Sequence, residues 1–106
     1  MDQNNKSKPF DKDINFDALP RVMDVLKILA NPERLKIVCV LGGGVLNVGE
    51  IEVLTGVTQP TLSQQLGILR KSGIVHTQRQ GKYVYYCVAD QKVVQLIAQL
   101  HELYCQ

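Results

Sequence analysis

The strongest constraint on this chain is the run from Thr58 to Val88. There a helical stretch, TQPTLSQQLGILRKSG, passes without a linker into a strand-rich stretch, IVHTQRQGKYVYYCV. Leu62, Leu66 and Leu69 recur with the 3.6-residue period and make a core stripe. The same period turns Ser63, Gln64, Gly67 and Lys71 outward, so the exposed face is polar and mostly uncharged. Residues 74–79 and 82–88 are β-branched and aromatic-rich around Gln80-Gly81, the pattern of a hairpin. Charge sharpens the reading. No Asp or Glu occurs between Glu52 and Asp90, while Arg70, Lys71, Arg79 and Lys82 all do. That window carries +4, and the remaining eight basic and ten acidic residues leave the rest at −2. Groups that hydrogen-bond to base edges, followed by a cationic ribbon, are what reading a DNA duplex requires.

The rest of the chain supplies the helices that such a unit needs for a core. Leu19, Val22, Leu26 and Leu29, widened by Val25 and Ile28, predict a first helix from about Asp17 to Ala30. Asn31-Pro32-Glu33 reads as a helix start, with a cap, a proline in the first position and an acid in the first turn. The helix it opens runs to about Leu41, and its apolar second half, residues 37–41, is expected to be buried on every face. Gly42-Gly43-Gly44 breaks it. Asn47 caps a short third helix with Val48, Ile51 and Leu54 inward, and Gly56 ends it. Thr58 opens the fourth helix and Ser72-Gly73 closes it, so Thr55-Gly56-Val57 is the turn of a helix-turn-helix. Asp90 caps a last helix with a broad stripe of Val93, Leu96, Ile97, Leu100, Leu103 and Tyr104.

The expected fold is mainly α with a β-hairpin wing, a winged helix-turn-helix in the order α-α-α-α-β-β-α over residues 17–106. Residues 1–16, polar and without apolar periodicity, are expected to be a mobile arm. A length of 106 residues with 45% hydrophobic content suits one domain. No apolar run approaches the ~20 residues of a membrane span and the N-terminus is not signal-like, so a cytoplasmic protein without membrane contact is expected. The first and last helices carry more apolar surface than one small core covers, which predicts a homodimer through them. Two recognition helices would then meet half-sites roughly 34–36 Å apart.

The residues expected to contact double-stranded DNA are Gln59, Thr61, Ser63, Gln64, Gln65, Lys71, Arg79 and Lys82. Gln suits a bidentate contact with adenine, Ser and Thr suit base edges or phosphates, and Lys71 suits phosphate. Gly67 inside a helix costs ~0.5–1 kcal/mol relative to Ala and reads either as close approach of backbone to a ligand or as tolerance. A winged helix serving only protein contacts is the bland alternative. His76 reads as a solvent or phosphate contact, His101 as a surface residue, and the wing tyrosines as hairpin packing. The two histidines have no nucleophile arrangement and there is no Gly-rich phosphate loop, so no enzyme and no cofactor are expected. Cys39, Cys87 and Cys105 are odd in number and widely spaced, against both a disulfide framework and a C-x-x-C metal site. Cys39 alone reads as a small buried hydrophobe, and Cys87 as structural.

Over roughly residues 18–106 the chain resembles the ArsR/SmtB superfamily of dimeric winged-helix repressors. The resemblance rests on LKILANPERLKIV, VGEIEVLTGVTQPTLSQQLGILRKSGIV and GKYVYY. Within it the chain is similar to the thiol-sensing, BigR/SqrR/HlyU-like branch. That branch pairs one Cys in the second helix with one near the end of the last, the positions of Cys39 and Cys105. The resemblance implies a repressor released from its operator when these two are oxidised, by reactive sulfur species such as persulfides or by peroxide. It also implies target genes for sulfide detoxification, biofilm or virulence. The metal-sensing relatives differ at both of their zinc sites. Their Cys-x-Cys falls at Asn47-Val48-Gly49, and their last-helix site falls at Asp90, Lys92, Leu103 and Gln106, with His101 and Glu102 out of register. No metal site is therefore assigned, and a metal-responsive repressor is the alternative within the same fold. Gln65 stands where many relatives have His, so a target sequence does not transfer.

Overall fold

The computed structural model describes residues 15–105. The expected arm lies outside them except for its last two residues. Among the described residues the order is α1 (Leu19–Leu29), α2 (Pro32–Leu41), β1 (Leu46–Asn47), α3 (Val48–Thr55), α4 (Thr61–Lys71), β2 (Val75–Gln80), β3 (Tyr83–Val88) and α5 (Gln91–Tyr104). The five helices and the wing match the expected architecture, with one strand more. The sheet is antiparallel in the order β1-β3-β2. Leu46 pairs with Tyr86 and Asn47 with Tyr85, so β1 covers an edge of the hairpin that would otherwise stay open. Two residues carry no period, which is why the sequence offered no sign of it.

Local chemistry sets the element ends. Asn31 Oδ1 accepts from the Arg34 N–H at 3.0 Å, with Pro32 in the first turn of α2. Asn47 and Glu50 form a reciprocal capping box on α3, each bond 2.9 Å long. The α3–α4 turn needs a left-handed residue and Gly56, at φ 73°, provides it. Thr55 Oγ1 reinforces that turn by donating to Ile51 O at 2.7 Å and accepting from the Val57 N–H at 3.1 Å. Helix α4 begins at Thr61 rather than Thr58, because a residue preceding proline is disfavoured in helical conformation, and Pro60 itself is the N-cap.

The core joins Ile37, Val38 and Leu41 of α2 to Ile51, Leu62, Leu66, Leu69 and Ile74, with Val93 and Ile97 of α5 closing it. Each such fully buried side chain contributes ~1.5–3 kcal/mol. Three expectations about packing are corrected. The second half of α2 is not buried all round: Cys39 is exposed and Val40 half-buried, because the core occupies only one side of this helix. Leu54 is 59% exposed, and the buried last-turn position of α3 is Thr55. The hairpin loop is Gly81-Lys82, one residue beyond the expected Gln80-Gly81, since Gln80 pairs with Tyr83 and Gly81 takes a positive φ. That register also decides which face of β3 turns inward. Val88 is buried opposite Val75 and Tyr86 packs on the core opposite Thr77, while Cys87 lies opposite His76 on the other face.

Candidate nucleic-acid interface and thiol pair

Helix α4 presents Ser63, Gln64, Gly67 and Lys71 outward, with Ile68 and Arg70 exposed beside them. The other predicted contacts are placed differently. Gln59 is exposed, but its Oε1 accepts from the Ser63 N–H at 3.1 Å and from Ser63 Oγ at 2.7 Å, so it caps the helix it precedes. Thr61 is half-buried. Gln65 is half-buried too, and its Oε1 accepts from Arg34 Nη1 at 2.8 Å. Gln65, expected among the DNA contacts, is thus engaged within the chain. Arg34 was not among the expected site residues, since nothing in the sequence connects positions 31 residues apart. Around Gly67, an added Cβ would meet no heavy atom within 4 Å, so no packing inside the chain requires glycine there.

The wing adds the cations. Lys82 sits in the hairpin loop, with Nζ 5.6 Å from the centroid of the Tyr83 ring. Arg79 pairs with Val84 two residues back from the loop, and both cations are exposed. With the exposed Arg70 and Lys71 they are the cations of a segment free of carboxylates. His76 is exposed on the outer face of β2. Tyr83 and Tyr85 lie on that face with ring centroids 6.3 Å apart, and their contact is an edge-tilted aromatic pair.

The two cysteines expected to act as a sensor line the same cleft. Cys39 and Cys105 are free and exposed, and both line one open cleft of about 590 Å³ between α2 and α5, with Leu35, Val94, Ile97 and His101. Partial desolvation of its sulfur in this cleft raises the Cys39 thiol above its ordinary value of 9.0, and a negative charge on Cys105 raises it further. Cys87 is half-buried on the wing, away from that cleft. Among the described residues no group of three His, Cys, Asp or Glu side chains is placed to hold a metal ion.

Two helix faces stay open. On α1, Leu19, Val22, Met23 and Leu26 are 42–48% exposed, and on α5, Leu103 and Tyr104 are 70% and 81% exposed. No helix among the described residues is long and apolar enough to cross a membrane.

Residues 31–77 match the model of bacterial regulatory proteins of the arsR family. The chain is 40% identical over 106 residues to the biofilm growth-associated repressor of Agrobacterium fabrum, covering 92% of this chain and 91% of that protein. It is 40% identical over 82 residues to the transcriptional activator HlyU of Vibrio cholerae, covering 77% of this chain and 76% of that one. The crystal structure of the transcriptional repressor BigR from Xylella fastidiosa superposes with a TM-score of 0.80 at 45% identity, over 84% of this chain and 91% of that chain. These relatives are regulators of transcription, not enzymes, and identity at this level extends well beyond the helix-turn-helix. The chain is a transcriptional regulator and belongs to the arsR family of bacterial regulatory proteins.

Proposed function

We propose that this protein is a cytoplasmic, homodimeric repressor that binds operator DNA while Cys39 and Cys105 are reduced and leaves it when reactive sulfur species link them. The observation that carries the reading is the shared cleft: two free thiols 66 residues apart in sequence, one on α2 and one just past the end of α5, line one apolar opening. The exposed face of α4 and the wing cations are the DNA-contacting surface. The open faces of α1 and α5 are the surfaces through which two copies associate. The names of the Agrobacterium and Xylella relatives support repression as the sign of the response.

A persulfide, RSSH, supplies the chemistry with balanced atoms. One cysteine thiolate attacks the outer sulfur, giving a cysteine persulfide and releasing RSH. The second thiol attacks the inner sulfur, Sγ of the first cysteine, giving a disulfide and releasing the outer sulfur as hydrogen sulfide. Two thiols are oxidised by two electrons and RSSH is reduced to RSH and hydrogen sulfide. A direct disulfide needs Cα atoms ~4.4–6.8 Å apart, and a further sulfur atom from a second RSSH lengthens the bridge and relaxes that demand. Peroxide gives the same disulfide with two waters released. Either link ties α5 to α2 and changes how the two recognition helices of a dimer are spaced. Coupling energies of ~1–3 kcal/mol, typical of such switches, suffice to release a two-site complex.

Peptide mapping by mass spectrometry after treatment with glutathione persulfide tests this. A Cys39–Cys105 peptide pair, joined by two or more sulfurs within one chain, is the expected product. Modification confined to Cys87, or to separate unlinked cysteines, would remove the switch.

A further inference from the structure

We propose that Arg34 is the positioning residue of the DNA-binding surface. Its guanidinium clamps α4, through Gln65, to the corner between α1 and α2, so Gln65 holds the reading helix in place and does not read a base. The inference rests on α4 being the DNA-contacting helix. Arg34 Nε donates to Ile28 O at 2.7 Å and Nη1 donates to Gln65 Oε1 at 2.8 Å. Ile28 lies in the last turn of α1, where carbonyls lack helical partners and a positive charge is favoured by the helix dipole. The backbone N–H of Arg34 is bonded to the cap residue Asn31, so the start of α2 belongs to the same cluster. One half-buried side chain thus touches the end of α1, the start of α2 and the second turn of α4.

The chemistry of the pair fixes its orientation. Arginine has donors only, so the Gln65 oxygen and not its amide nitrogen must face it. That directs the Gln65 amide toward α2, while Ser63 and Gln64 stay exposed. A planar guanidinium held at two of its nitrogens sets a fixed separation between the groups it bonds, which a lysine ammonium on a flexible stem cannot do. Because α2 also carries Cys39, a displacement of that helix would reach α4 through this rigid fork as well as through apolar packing.

The test uses the duplex that wild-type protein enriches from a randomised pool, with affinity followed by fluorescence anisotropy across a salt series. Arg34→Gln and Gln65→Ala are each expected to weaken binding on the order of tenfold, and the double variant no further than either single one. Arg34→Lys is expected to match Arg34→Gln. The slope of log affinity against log salt stays at the wild-type value in all of them, because no phosphate contact is removed. Pools enriched by Gln65→Ala return the wild-type base sequence. If Arg34→Gln does not fold, Gln65→Ala carries the test alone, since it leaves the Arg34 bond to Ile28 intact. A salt slope lowered by about one in Arg34→Gln, marking a phosphate contact, overturns the clamp. So do a changed base preference in Gln65→Ala and losses that add in the double variant. Wild-type protein enriching no duplex overturns the DNA-contacting reading and this inference with it, whereas an enriched duplex bound equally well by the variants overturns the clamp alone.

Discussion

At the scale of single residues, Cys39 is the group whose surroundings most change its chemistry. Burial first, and the charge of Cys105 second, hold its thiol above 9.0, so it stays protonated at neutral pH. A group whose folded value is raised favours the fold below the unfolded value, and that contribution is lost as pH rises through the folded value. Alkylation by iodoacetamide, followed by mass spectrometry, is expected to show a Cys39 midpoint above 9.0. Cys105→Ser should lower the midpoint without returning it to 9.0, because burial remains. A wild-type midpoint at or below 9.0 would contradict the cleft as described. Gly67 offers a second test. With open space around its missing Cβ, Gly67→Ala is expected to stabilise the protein by ~0.5–1 kcal/mol, seen as a higher midpoint on thermal melting. The same variant's DNA affinity separates the two readings of this glycine: a loss marks close approach of DNA to the α4 backbone, and no change marks tolerance.

At the scale of elements, the proposed contribution of the wing to DNA binding is its charge. Arg79→Ala and Lys82→Ala are each expected to lower the salt slope of DNA binding by about one, with little change in base preference. Slopes unchanged in both would take the wing off the DNA. The helices were legible from the sequence because most carry a stripe at the helical period and most carry a cap, as Asn31, Asn47 and Asp90 show. The helix-turn-helix was legible from Gly56, since few residues accept its φ. Strand β1 was not, being two residues defined only by their partners on β3. The outward turn of Leu54 and Cys39 was hidden for a related reason: periodicity identifies a face, but tertiary packing decides how much of it is covered. The Arg34–Gln65 bond lies entirely in that tertiary information. The proposed pairing of Cys39 with Cys105 was reached through family resemblance; the structure adds that both line one cleft.

At the scale of the whole molecule, the proposed dimer rests on the open apolar faces of α1 and α5. Sedimentation is expected to show a dimer for the wild type and a monomer for Leu26→Glu, which places a charge on a face that is half exposed in the single chain. The monomer should bind the enriched duplex far more weakly, since it engages one half-site at a time. A wild-type monomer at micromolar concentration would contradict this assembly. The proposed function couples the state of the thiols to DNA binding. Its most direct test is the affinity of reduced and persulfide-treated protein for the same duplex, in wild type and Cys39→Ser. The account predicts a loss of about tenfold or more on treatment of the wild type and none in Cys39→Ser, in line with a coupling of ~1–3 kcal/mol. Equal affinity of reduced and treated wild-type protein, or an undiminished response in Cys39→Ser, would contradict it.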